Sequence, residues 1–163
     1  METIIAGIIG GVCTIAAAFV TYFLTTRPER ASRQPISKTR KEALIGRWEG
    51  TLDQPEGPTG KPVTYSVVAQ SKVKRKTVEV SLTLEYELDG EKYRGLEYEA
   101  TGSYLHNRFL KLDYAFSDRS VIQFGAILLE HNDLGDALDG YLVGYGAVKR
   151  GLITGNVKLE KKE

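Results

Sequence analysis

The sequence predicts an all-β protein, an eight-stranded antiparallel up-and-down barrel, preceded by one N-terminal transmembrane helix. Three observations predict it. Residues 4–24 are an uncharged apolar run. From residue 44 onward apolar and polar side chains alternate with a period of two, the mark of strands with one dry face. Turn signals cut that alternation into short segments, and their connections are too short for parallel crossovers, so neighbouring strands must be antiparallel and adjacent.

The apolar run is "IIAGIIGGVCTIAAAFVTYFL", Ile4 to Leu24, 21 residues without charge or proline. At 1.5 Å rise per residue it matches a hydrocarbon core of roughly 30 Å. The alternative is a cleaved signal peptide, but Glu2 precedes the run where Lys or Arg would be usual, and the run is longer than a signal core. Residues 1–24 are therefore expected to be an uncleaved anchor. Gly7 and Gly11 form a small-xxx-small pair with Ala18 further along the same face, a stripe that lets helices approach closely in lipid and so self-associate. The alternative is that Gly and Ala are simply common in membrane helices.

Residues 25–41 carry six Lys or Arg, namely Arg27, Arg30, Arg33, Lys38, Arg40 and Lys41, against one Glu. Positive flanks stay on the cytoplasmic side, which predicts a single-pass protein of the cell membrane with its C-terminal domain in the cytoplasm. Residues 25–43, with Pro28 and Pro35, read as a basic linker or a short juxtamembrane helix that rests on anionic headgroups. Residues 44–163 read as the barrel domain. Cys13 is the sole cysteine and cannot form an internal disulfide; with only His106 and His131 beside it, no zinc-ligand spacing exists.

Eight strands are predicted near 45–53, 62–73, 76–88, 92–103, 107–116, 120–130, 137–147 and 151–161. In "VEVSLTLEYEL" Val78, Val80, Leu82, Leu84, Tyr86 and Leu88 share one face, with Glu79, Ser81, Thr83, Glu85 and Glu87 on the other. Leu110, Leu112, Tyr114 and Phe116 share a face of "FLKLDYAF". A meander with one apolar face and no covering helix hides that face by closing, which also removes its edges. A two-sheet sandwich is the alternative. An outer-membrane barrel is disfavoured because its apolar residues would face outward.

An eight-stranded barrel is either packed solid or holds one small ligand. Strand 1 aims Gly46, Trp48, Gly50 and Leu52 one way, strand 8 adds Ile153, Gly155, Val157 and Leu159, and strand 7 has Gly140, Gly144 and Gly146. These glycines either leave room inside or relieve tight curvature. Tyr65, Tyr86, Tyr98, Tyr114 and Tyr141 are assigned inward, as is Arg94, which shares a face with Leu96, Tyr98 and Ala100 or else reaches solvent at the mouth. Stacking rings together with a phosphate-binding cation suit a nucleotide. The candidate ligand-binding set is thus Trp48, Tyr65, Tyr86, Arg94, Tyr98, Tyr114 and Tyr141. The carboxylates of strand 3 read as a solvated face, "KVKRK" (72–76) as a solvated hairpin, and no phosphate loop, nucleophile elbow or metal cluster is present. No catalytic activity, resident cofactor, metal or nucleic-acid polymer is expected.

The order of parts, an apolar N-terminal anchor, a basic linker, "LIGRWEGTL" (44–52), "DALDGYLVGYG" (136–146) and "GLITGNVKLEK" (151–161), resembles the membrane-anchored β-strand-rich effectors of bacterial CBASS anti-phage defence. A Gly-x-Trp first strand is also seen in lipocalin-like barrels. The resemblance implies a calycin-like cytoplasmic barrel that binds a cyclic dinucleotide or oligonucleotide made by a partner nucleotidyltransferase. Ligand then controls homo-oligomerisation and disruption of the inner membrane, by activation or by release of repression. Members of that family have two membrane helices where this sequence shows one. A tethered barrel holding an apolar ligand or lipid is the alternative. Barrel edges, or the faces of strands 6 and 7, are the expected assembly surface.

Overall fold

The computed structural model describes residues 36–57, 60–88 and 91–162, less the side chains of Leu88 and Arg94. The expected membrane span, the basic segment up to residue 35 and the Gly7, Gly11 and Ala18 stripe lie outside the described residues. Among the described residues no helix is long and apolar enough to cross a membrane.

One short helix, α1 (Lys38–Leu44), leads into eight strands: β1 (Gly46–Gln54), β2 (Val63–Lys74), β3 (Thr77–Leu88), β4 (Glu91–Leu105), β5 (Phe109–Phe116), β6 (Phe124–His131), β7 (Ala137–Gly146) and β8 (Gly151–Lys162). They form a closed barrel in sequence order. Each strand pairs antiparallel with the next, and β8 returns to β1 with Arg47 opposite Lys162 and Asp53 opposite Asn156. Closure leaves no free edge, so an assembly surface made of strand edges is ruled out for this barrel.

Alternation decides which side chains enter. In β2, Val63, Tyr65, Val67, Ala69 and Ser71 are buried while the residues between them are exposed. The strand that differs most from expectation is β6, which starts at Phe124 rather than near 120. Asp118 makes residues 118–121 a turn, its carboxylate accepting from Ser120 N at 2.9 Å and its carbonyl from Val121 N at 3.1 Å.

One strand-level expectation fails on parity, and the backbone register of a second strand departs from simple alternation. On β7, Leu138 and Leu142 face inward, so Tyr141 points outward and is 71% exposed. On β4, the partner of Leu84 is Leu96 but that of Tyr86 is Tyr93, a bulge that interrupts the alternation on which Arg94 was aligned with Leu96 and Tyr98. Gly95 takes φ +77° there, which a side chain would resist.

Glycine answers to curvature. A Cβ on Gly50, Gly102 or Gly140 would lie 1.9, 1.8 or 1.9 Å from the carbonyl oxygens of Lys158, Lys111 and Leu128 on the adjoining strand. Those positions let coiled strands approach closely.

Candidate ligand-binding cup

The end of the barrel where the chain enters is sealed. Ser37 caps α1, its hydroxyl accepting from Arg40 N at 3.3 Å. At the other end of the helix the Lys161 ammonium donates to the Ala43 carbonyl at 2.5 Å and to that of Glu42 at 3.3 Å, a cation placed where the helix dipole is negative. Arg40 donates to the Asn132 carbonyl and approaches Asp133 at 3.5 Å. Arg40 of α1 and Lys161 of β8 thus fasten the helix to the barrel, and the segment read as a linker through residue 43 is in part a plug. Gln34–Glu163 is accordingly one compact unit.

Leu44 fills that end and is fully buried. Its carbonyl accepts from Trp48 Nε1 at 3.0 Å and from the Ser71 hydroxyl. Trp48 meets His131 edge-on at 5.8 Å, and His131 Nδ1 shares a hydrogen bond with the Tyr104 hydroxyl. Burial, reinforced by Arg40 and Lys161, holds His131 below its ordinary value and keeps the imidazole neutral. Burial likewise raises Tyr104 to about 12. Only a void of about 20 Å³ remains among Leu44, Trp48, Leu110, Leu112, Leu129 and their neighbours.

Among the described residues no helix covers the opposite end, and a cavity of about 280 Å³ opens there. One wall is aromatic: Tyr65, Tyr86, Tyr98 and Tyr114 come from four consecutive strands, β2 to β5, with Phe116 beside them. Tyr65 and Tyr86 lie 5.0 Å apart, Tyr98 and Tyr114 5.9 Å, and Tyr98 and Phe116 5.0 Å. The facing wall is aliphatic, built from Leu52, Ile127, Leu142 and Ile153. Rings on one side and branched chains on the other make a slot suited to a flat molecule.

The polar groups in this slot are few, and all but Lys149 are neutral. Burial pushes Tyr65 up, with Tyr86 and Tyr98 adding to the effect. Burial and the neighbouring Tyr114 raise Tyr98 to about 12 against the opposing hydrogen bond from Gln123 Nε2 at 2.8 Å. Tyr114 is raised to about 12 by burial, and its hydroxyl is without a partner among the described residues. All remain phenols at neutral pH. Gln54, 7% exposed, supplies an amide. Among the described residues lining the cavity, Lys149 alone is charged.

Of the residues singled out from the sequence, Tyr65, Tyr86, Tyr98 and Tyr114 converge on the cavity. Trp48 faces inward as its parity requires, but it is packed into the sealed end and does not line the cavity. Tyr141 lies on the outer surface. The side chain of Arg94 lies outside the described residues. Gln54, Phe116, Gln123 and Lys149 were not singled out. Extending the even-numbered face of β1 by one step reaches Gln54, and Phe116 already shares a face with Tyr114; Gln123 and Lys149 sit in connections, where no periodicity points to them. Glu79, Glu85 and Glu87 are on the outer face of β3, and no cluster of metal-ligating residues occurs among the described residues.

Neither the family models nor the curated proteins include a match to this chain. Solved structures do share the fold. EF1p2_mFAP2b bound to DFHBI is 12% identical over 77% of this chain and 100% of that one, with a TM-score of 0.61. The redesigned β-barrel mFAP1, also bound to DFHBI, is 10% identical over 75% and 98%, at 0.56. A further redesigned β-barrel, b11L5F_LGL, is 12% identical over 76% and 96%, at 0.53. At such identity the likeness concerns the fold alone.

Proposed function

We propose that this chain is a membrane-anchored receptor and effector of anti-phage defence, in which the barrel senses a cyclic nucleotide and carries out no chemistry of its own. The observation that carries the reading is the unfilled cavity with its four-tyrosine wall, open at one end of an otherwise packed barrel. A nucleobase is a flat ring system whose edge offers hydrogen-bond donors and acceptors. The tyrosine faces supply stacking, and Gln54, Gln123 and the phenols supply partners for the edge. About 280 Å³ accommodates one base and not a whole cyclic dinucleotide, so the phosphates stay at the mouth near Lys149. That two structures of the same fold are described as bound to DFHBI adds a little weight, since a barrel of this kind can hold a small molecule.

Coupling to assembly needs a surface besides the cup. Leu128, Tyr141 and Val143 are exposed on adjacent strands β6 and β7, with Phe124 and Leu152 extending the same outer face. Ligand shifts assembly only by its differential affinity for the free and assembled states, so occupation of the cup must alter this wall. Phe124 and Gly125 share β6 with Ile127, which lines the cavity.

The test is thermal unfolding of the full chain, followed by the fluorescence of its single tryptophan, Trp48, against cyclic mono- and dinucleotides. Saturation at ~100 times the dissociation constant adds about 2.7 kcal/mol, a rise of roughly 10 °C for a domain of this size. No shift across the panel counts against the nucleotide. A second reading is favoured by the aliphatic wall: a tethered lipocalin-like barrel that holds an apolar ligand. It predicts a shift with fatty acids or apolar aromatics instead.

A further inference from the structure

The cavity lining contains one charged side chain among the described residues, and that charge is already taken. Lys149 belongs to the turn between β7 and β8, and its ammonium is ion-paired with Glu56 in the connection between β1 and β2. The pairing follows from closure, because β8 and β1 are hydrogen-bonded neighbours and their mouth connections come side by side. Both partners are partly in water, with side chains 32% and 57% exposed, so the pair is weak and readily exchanged. Arg119 and Arg150 are exposed in mouth turns without lining the cavity, and among the described residues no carboxylate lines it to repel an anion.

We propose that Lys149 reads the anionic group of the ligand and that Glu56 is its built-in competitor. On this proposal, which rests on the cavity being a ligand site, the cup takes a flat or apolar body bearing one carboxylate, sulfonate or phosphate group at its outer end. The anion enters by displacing Glu56, so the Glu56 carboxylate weakens every anionic ligand and leaves neutral ones untouched. Displacement also frees the β1–β2 connection from the β7–β8 turn, a local change that reports occupancy at the barrel surface.

Calorimetric titration of the full chain in a nonionic micelle tests this with pairs of probes that differ in charge and little in shape: 2-naphthoate against 2-naphthamide, and 3′,5′-cyclic AMP against adenosine. The unaltered chain binds the anion of a pair roughly tenfold more tightly than its neutral counterpart. Lys149→Met erases that preference. Glu56→Gln strengthens the anion about threefold and does not move the neutral probe. The pattern in the nucleotide pair identifies phosphate as the source of the charge, and in the naphthalene pair a carboxylate; either supports the proposal. Equal affinities within both pairs that neither substitution changes would overturn it while leaving the cavity as a ligand site. If no probe binds, both readings fall.

Discussion

The two ends of the barrel are made by the same eight strands with the same alternation, and yet one is packed and the other hollow. At the sealed end the inward residues are large: Trp48, Tyr104, Leu110, Leu112, Leu129 and His131 are all buried, and Leu44 closes over them from α1. At the mouth Gly146 and Gly155 stand among the inward residues, the aromatic rings come from only half the strands, and no helix among the described residues lies on top. Alternation selects which side chains point inward; their volume, and what covers the end, decide whether they fill the space.

Substitutions at matched depths break this contrast most directly. Trp48→Ala removes the largest buried side chain and its hydrogen bond to Leu44, and is expected to cost about 3–5 kcal/mol by denaturant unfolding. Tyr86→Ala at the mouth, where the ring is only half-buried, is expected to cost under about 2 kcal/mol. Enlargement gives the same order of cost. Leu129→Phe overpacks the sealed end and costs about 1–3 kcal/mol, whereas Leu84→Phe grows into open space, costs under about 1 kcal/mol and abolishes ligand binding.

Smaller effects sharpen the picture of the plug. Ser71→Ala deletes a buried hydroxyl that donates to the carbonyls of Leu44 and Gly46, and is expected to cost about 1 kcal/mol without altering ligand affinity. The smallest effect is read with pH. His131 is held neutral in the folded state with its pKa lowered, so below its ordinary value of 6.5 the unfolded chain binds the extra proton first. Stability is therefore full above pH 6.5 and declines as the pH falls through the lowered folded value. A midpoint of unfolding followed from pH 7 to pH 5 should drop in the unaltered chain and stay flatter in His131→Gln.

The barrel itself is legible in the sequence because its evidence is periodic. "VEVSLTLEYEL" has a face for every residue, and short turns permit a single strand order, so the closed meander and most strand limits can be read directly. The four tyrosines of the cavity follow from the same periodicity. Tyr141 does not, because beside Gly140 it invites the wrong parity, and a one-residue slip reverses a whole strand. The β4 bulge is invisible for a related reason: Gly95 marks a bulge only once its partners on β3 are known. The plug is hidden more deeply. "KTRKEAL" is a basic seven-residue helix with a single buried residue, too short to show an apolar face, and its role depends on Asn132, Asp133 and Lys161 far along the chain. Lys149 is concealed in the same way, being one cation in a turn until closure brings Glu56 beside it.

The asymmetry of the two ends can be measured in one experiment, methyl-resolved nuclear magnetic resonance of the full chain titrated with 2-naphthoate. The account predicts shifts confined to the mouth, at Val67, Leu84, Leu96, Val121 and Leu142, with Leu110, Leu112 and Leu129 unmoved. Equal shifts at both ends, or none at the mouth while the sealed end responds, would contradict it.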